Sequence, residues 1–264
     1  MDDGSDEPVV IGELIESIQS PLKPSIQILR QENAGPGRAR NQGAEIGRGV
    51  AFAFIDDDCI AKPNWVEELL DASARNENAL VGGWTLNAVL DDPYAAVNQL
   101  ILDIVYAHHN IDHQNSVFLA SNNWLCPKQA FFDLGGFKES FKLASEDRDF
   151  CERWLASGRK IIWHRQAIIE HFHGQNLTTF LSMHLRYGRG AFAYHSSRNK
   201  RSGQQTKSTL SFYRALPSMA IAHLKREPRW ATRFQISSLL ILWQLTNCCG
   251  FFLEMLKRSM HTKK

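Results

Sequence analysis

The string Ile55-Asp56-Asp57-Asp58-Cys59 places three carboxylates directly after the apolar run Val50-Ala51-Phe52-Ala53-Phe54. A buried strand that ends in clustered aspartates is a strong constraint, because neighbouring carboxylates repel one another unless a cation or solvent offsets them. Hard divalent cations such as Mg2+ or Mn2+ take oxygen ligands, use one or two protein carboxylates and leave positions for substrate phosphates. Alternation along a strand predicts that Asp56 and Asp58 share a side and that Asp57 faces away. An Asp-x-Asp pair aimed at a diphosphate is one reading. An acidic turn capping the helix that begins near Pro63-Asn64-Trp65 is the other, and the string alone does not separate them.

Short β-like runs alternate with helical patterns on both sides of this string. Strands are predicted at Ser25 to Leu29, Val50 to Ile55 and Ala79 to Trp84, with helices at Gly37 to Ile46 and Trp65 to Asn76 between them. A helix over Pro93 to Ala107, a loop holding His108, His109 and His113, a strand at Val117 to Ser121 and a helix from Lys128 to Leu134 follow. Glu146 to Ala156 reads as a helix, and Lys160 to His164 and Ala167 to His171 as two short strands. The alternation predicts an α/β fold with a mixed, mainly parallel sheet flanked by helices. Ligands of such sheets bind beyond the carboxyl ends of the strands, where the three aspartates fall.

A chain of 264 residues, 44% hydrophobic, is long enough to bury a full core. Its net charge of +2 carries no nucleic-acid signal. The five cysteines have no CxxC or zinc-like spacing and predict reduced thiols in a cytoplasmic protein; the acidic, polar start argues against a signal peptide. Three regions are expected: a catalytic α/β domain over 1–197, a flexible basic loop or lid over 198–207, and a helical region over 208–264. The apolar stretch around Ile236 to Leu256 has the length of a membrane span, yet Gln244, Thr246, Asn247 and Glu254 interrupt it and basic residues flank it on both sides. That pattern favours a helix lying peripherally on the cytoplasmic face of an anionic inner membrane; the alternative is a helical hairpin packed on the domain or on a second subunit.

Three further groups carry chemistry. Gly35-Pro36-Gly37-Arg38-Ala39-Arg40-Asn41 opens a helix with glycines and two arginines, an arrangement suited to a diphosphate or to nothing more than a helix start. Glu146 and Asp147 begin a second helix, where a carboxylate stays ionised and can accept a proton from a hydroxyl, or simply caps the helix. His171 and His173 stand two apart at a strand end, so both imidazoles can point one way and one can complete a metal shell.

The order of these motifs is itself a signal. Asp2-Asp3-Gly4-Ser5, the Asn33 to Gly43 run, Ile55 to Cys59, Gly82-Gly83, Ser121-Asn122-Asn123, Leu134-Gly135-Gly136-Phe137 and Glu146-Asp147 together resemble the inverting family 2 glycosyltransferases of the GT-A fold, over about residues 1 to 197. The resemblance implies that Asp2 and Asp3 contact the nucleoside of a sugar donor and that Arg38, Arg40, Asn41, Asp56 and Asp57 lie on the donor side. It implies that Asp56 and Asp58 hold Mg2+ or Mn2+ with His171 or His173, that Asn123 and Gly136 lie on the acceptor side, and that Asp147, beside Glu146, is the catalytic base. Arg186-Tyr187-Gly188-Arg189-Gly190 looks like the Arg-rich helix of many bacterial members. In the family the Asp-Asp-Gly-Ser segment follows a first strand and helix, and here only Met1 precedes it, so an N-terminally shortened member is expected.

The function this implies is metal-dependent, inverting transfer of a sugar from a nucleotide-sugar to a hydroxyl on a polysaccharide, lipid-linked or other cell-envelope glycan acceptor. The alternative is a catalytically degenerate remnant that acts as a membrane-surface or partner-binding module. Phosphoryl transfer by an Asp nucleophile fits less well, because Cys59 and Ile60 follow Asp58 where such sites carry x-Thr.

Overall fold

The computed structural model describes residues 1–8, 25–202, 207–225 and 229–261. Helix α1 spans Pro36–Ile46, and the strands and helices that follow are β1 Ala51–Ile55, β2 Cys59–Ala61, α2 Trp65–Arg75, β3 Leu80–Asn87 and α3 Pro93–His109. Then come β4 Asn123–Pro127, α4 Lys128–Asp133, α5 Glu146–Ala156, β5 Ile161–His171, α6 Leu177–Ser202, α7 Lys207–Leu224 and α8 Trp230–His261. The expected strand over Ser25 to Leu29 is reduced to one parallel bridge, Asp2 to Arg30. Val117 to Ser121 is likewise irregular, and the strand lies just beyond it, in β4. The two short strands predicted near residues 160–171 are one strand, β5.

The five strands form one mixed sheet in the order β1-β4-β3-β5-β2. β1, β3 and β5 run the same way, as the strand–helix alternation predicts, but β3–β5 is the one parallel pairing and the other three are antiparallel. The expectation of a mainly parallel sheet fails because β4 inserts between β1 and β3 in the opposite direction, and β2 follows β1 with no crossover helix.

That last connection shapes the site. The link from Ile55 to Cys59 spans four residue steps, so it reaches about 14 Å at most. Four strand spacings in a flat sheet would separate β1 from β2 by roughly 19 Å. The sheet must therefore curl at this end. It does so where β3 leaves β4: only Val81 and Gly82 of β3 pair with β4, and the β3–β5 register shifts between Gly82 and Trp84.

Both faces of the sheet are covered. On one, Trp124, Phe131, Phe137, Phe150 and Trp154 pack ring against ring, with centroids of Phe137 and Phe150 4.9 Å apart. This aromatic stack seats α5 and is worth several kcal/mol, since truncating one such buried ring typically costs about 3–5 kcal/mol. On the other face, Trp65, Leu69 and Ala72 of α2, spaced i, i+4, i+7, meet Val81, Leu125, Ile162 and Ile169.

Residues 198–202 are not a loop. They finish α6, so the expected boundary at 197/198 falls inside a helix; residues 203–206 of the expected lid lie outside the described residues. In the linear sequence Arg198 and Arg201 look like a solvated polar run, but i, i+3 spacing puts them on one helix face. There they meet the equally spaced Asp149 and Glu152 of α5: Arg198 Nε lies 3.3 Å from Glu152, Arg201 Nη2 3.2 Å from the same carboxylate, and Arg201 also pairs with Asp149. The region beyond is helical, as expected, and α8 packs directly on α6. A Cβ on Gly188 would stand 2.1 Å from the Asn247 carbonyl, and one on Gly250 2.2 Å from that of Leu185.

Gly83 marks the crowded point of the curl. A Cβ there would lie 1.9 Å from the Ala167 carbonyl oxygen and 2.6 Å from the Asn123 amide nitrogen. Gly83→Ala is expected to destabilise the fold by about 2–3 kcal/mol, read as a lower midpoint in urea unfolding. An unchanged midpoint would show that β3 and β5 are free to move apart there.

Candidate active site

The curl delivers Asp58 to the end of β5. The Phe172 N–H donates to the Asp58 carbonyl at 2.8 Å, Cys59 pairs with His171, and the side chains follow. His171 Nε2 lies 3.0 Å and His173 Nδ1 3.5 Å from Asp58 Oδ2, with the two rings stacked 4.7 Å apart. Partial burial alone would raise the Asp58 carboxyl, but its hydrogen bonds to both imidazoles outweigh that and hold it well below the usual range. One oxygen and two nitrogens, all within 4.8 Å of one another, suit a single cation, because cis ligands of a six-coordinate ion sit about 3 Å apart. His173 Nε2 rests against Gln175, whose side-chain oxygen accepts from Asn98 and whose backbone N–H donates to Asp92.

Asp56 is not part of that cluster. The strand ends at Ile55 and residues 56–58 form a turn closed by the Cys59 N–H on the Asp56 carbonyl, so strand alternation does not govern them. Asp56 instead accepts from Arg40 Nη2 at 2.6 Å, while Arg40 Nη1 reaches Glu146 at 2.9 Å. Of the four expected cation ligands, Asp58, His171 and His173 stand together, and Asp56 is held by Arg40. Asp57 is exposed, away from both. Arg40 is largely buried over the Phe137 ring. Burial would lower its pKa, and the adjoining Asp56 and Glu146 carboxylates more than reverse that, so it stays charged.

Glu146 and Asp147 open α5, whose amide dipoles favour anions there. Asp147 is half-buried, and burial together with the neighbouring Glu146 charge pushes its carboxyl up to about 7, against the pull of the Arg148 N–H and the Arg148 and Arg40 guanidiniums. A carboxylate with this pKa is matched to proton abstraction near neutral pH. Asp147 thus adjoins Glu146, which shares Arg40 with Asp56, and the turn after Asp56 carries Asp58 to His171 and His173, a group that could hold a cation. Tyr187 of α6 is exposed over much of its surface, and its hydroxyl is raised by the desolvation of its ring end and by the charges of Asp147 and Glu146.

The remaining candidates hold the site up. Asn41 clasps the backbone of Phe137 with two 2.8 Å hydrogen bonds, and Gly136, at φ 61°, lies under it where a Cβ would touch the Asn41 oxygen at 2.6 Å. Asn123, expected on the acceptor side, is buried and accepts from Trp65 Nε1 at 2.7 Å while donating to Ala167. Its neighbours are core residues because β4 starts inside the sheet, opposite Ile55. Asp3 accepts from the Ala34 and Gly35 N–H groups, both at 2.9 Å, and so shapes the turn into α1. Asp2 is buried against Arg30 and the Ser5 N–H. Arg38 sits at the surface, 3.9 Å from Glu139.

Sequence reasoning passed over Asp149 and Arg153. Asp149, fully buried, pairs with Arg153 at 2.6 Å, with Lys138 and with Arg201, and Arg153 donates to the Leu134 and Gly136 carbonyls. Their i, i+4 acid–base spacing is the signal that was available. Also missed was a cavity of about 250 Å3 that begins one residue past Asp147, lined by Arg148, Phe118, His109, Tyr194, His195 and Phe212 among others. Burial, and then the nearby Arg148 charge, push both histidines down to about 4, so they are neutral at pH 7. Arg148 lies over Phe118 and makes no ion pair among the described residues.

Known proteins share this plan. The chain is 27% identical over 157 residues to a glucosyl-dolichyl phosphate glucuronosyltransferase of Haloferax volcanii, covering 53% of this chain and 48% of that protein. It is 26% identical over 196 residues to a pre-mycofactocin glycosyltransferase of Mycobacterium tuberculosis, covering 72% of this chain and 40% of that one. The chain thus spans about half or less of the length of these relatives. A mannosyltransferase from Pyrobaculum calidifontis, solved with GDP-Man and Mn2+, superposes with a TM-score of 0.50 at 10% identity, over 90% of this chain and 63% of its own, and shares the GT-A fold. The model of glycosyl transferase family 2 matches residues 1–134, just over half of the chain, and the chain belongs to that family.

Proposed function

We propose that this chain catalyses metal-dependent, inverting transfer of a sugar from a nucleotide-sugar to a hydroxyl of a glycan or lipid-linked acceptor. One observation carries the reading: Asp147, a carboxyl raised to about 7, adjoins Glu146, which shares Arg40 with Asp56, and Asp56 stands two residues before the cluster of Asp58, His171 and His173 that could hold a cation. The GDP-Man and Mn2+ bound by the structural neighbour support a nucleotide-sugar donor and a divalent ion.

Asp58, His171 and His173 would hold the ion. Two imidazole nitrogens beside one carboxylate oxygen suit Mn2+ better than Mg2+, which prefers an all-oxygen shell. A divalent cation held there would offset the charge that develops on a leaving diphosphate. Arg40 bridges Asp56 and Glu146 and offsets part of their combined charge. Asp147 takes that proton as the acceptor oxygen bonds to the anomeric carbon and the carbon–diphosphate bond breaks on the opposite face, which inverts the centre. The acceptor is assigned to the cavity beyond Asp147, where aromatic walls suit a ring or chain and Arg148 suits an anionic group.

Asp147→Asn is expected to lower turnover by at least about a thousandfold while calorimetric binding of donor with Mn2+ changes less than about threefold. In the parent protein, kcat/KM should fall as pH drops through about 7, because protonated Asp147 cannot accept a proton. Retained turnover in the variant would remove Asp147 from the mechanism; donor binding without any turnover in the parent would favour a non-catalytic module.

Asp58→Asn should weaken Mn2+ binding, followed by the electron spin resonance signal of free Mn2+, by roughly 10–100-fold. Equal affinity would place the ion elsewhere. Arg148→Ala should raise the acceptor KM by roughly tenfold or more and leave the donor KM alone, as loss of one charge-assisted hydrogen bond implies. An unchanged acceptor KM would separate the cavity from the reaction.

A further inference from the structure

Helix α8 is apolar on two opposite sides, and packing accounts for only one. Leu239, Trp243, Gly250 and Glu254 face inward, against Phe180, His184, Leu185 and Arg189 of α6. At about 100° per residue, Trp230, Phe234, Ile241, Leu245, Phe252 and Leu256 fall within roughly 80° of arc centred on the opposite side. All six are exposed, Trp230 by 80%, Phe234 by 70% and Ile241 by 62%. The stripe runs the length of the helix, about 40 Å from Trp230 to Leu256 at 1.5 Å per residue. Exposed apolar patches of this extent mark interaction surfaces.

We propose that this face seats the protein on an anionic membrane surface, with α8 lying in the plane of the headgroups. Charge selects this occupant. Over its 32 residues α8 carries Arg233, Lys257 and Arg258 but a single acid, Glu254, and that acid is turned inward between Arg189 and Arg258. The outer side of the helix thus carries no acid; Arg233 and Arg258 stand about 100° and 120° round from the centre of the stripe, where long side chains reach toward lipid phosphates as the stripe sinks, and Lys257 lies about 140° away, toward the packed side.

The helix is long and apolar enough to cross a bilayer, but its packing argues for lying flat. Residues 239–254 of α8 run parallel to α6 in close contact, and α6 carries Arg186, Arg189 and Arg198 along that stretch. A crossing α8 would draw those arginines into hydrocarbon, where charges are costly. An in-plane α8 leaves them in water. This inference stands apart from the transferase reading and fails or holds without it.

The test is co-sedimentation of the full chain with phosphatidylcholine vesicles, with or without one-third phosphatidylglycerol, in 50 and 500 mM salt. Binding is expected with the anionic vesicles at low salt, at least fivefold weaker at high salt, and at least tenfold weaker for the variant F234S/L245S/F252S, whose three sites are solvent-exposed so that the fold is preserved. Release of bound protein by alkaline carbonate is expected of an in-plane helix. Equal binding of variant and parent, binding indifferent to anionic lipid, or retention after carbonate would overturn the proposal. So would the absence of binding together with a parent dimer, seen by light scattering, that the variant abolishes, since that result assigns the stripe to a second copy of this chain.

Discussion

The three residues between β1 and β2 are the constraint on which the site depends. A link that reaches about 14 Å cannot bridge a flat five-stranded sheet, so the sheet curls where β3, with β5 beside it, parts from β4 after Gly82. The bend places Asp58 on His171 and His173 and leaves Asp56 on the other side of the turn, facing Arg40. The neighbouring carboxylates thereby take different partners, Arg40 for Asp56 and two imidazoles for Asp58.

Electrostatics then organise the surroundings of Asp147. Arg40 pairs with both Asp56 and Glu146, and Arg153, Lys138 and Arg201 surround the fully buried Asp149. Burial of Asp147, and then the charge of Glu146 beside it, move its pKa up while its neighbours stay paired. The same contacts fix geometry. Asn41 and Arg153 hold the turn at Gly135-Gly136-Phe137, and the aromatic stack beneath it carries α5. Removing any buried partner would leave a charge uncompensated, so these supports are coupled to the base they surround.

Much of this was legible in the sequence where a local rule applied. Pro36 at a helix start, the acids opening α5, the heptad-like spacing of Trp65, Leu69 and Ala72, and the alternation that leads from Phe52 to the aspartates all mark elements that the structure contains. What was not legible depended on long-range geometry. Strand alternation does not extend past Ile55 into the turn, where Asp56 meets Arg40 and Asp58 meets His171 and His173. Asn123 carries a polar amide whose partners, Trp65 and Ala167, are 58 and 44 residues away. The polar run at 198–202 reads as a loop until Asp149 and Glu152 are seen to lie opposite it.

The central claim is that Asp58, His171 and His173 form one cation site and that Asp56 does not belong to it. Anomalous diffraction at the manganese edge, from crystals grown with Mn2+ and a nucleoside diphosphate, tests it most directly. The account predicts a single peak about 2.2 Å from Asp58 Oδ2, His171 Nε2 and a His173 nitrogen, with Arg40 still between Asp56 and Glu146. A peak coordinated by Asp56, or one that the two histidines do not touch, would contradict it.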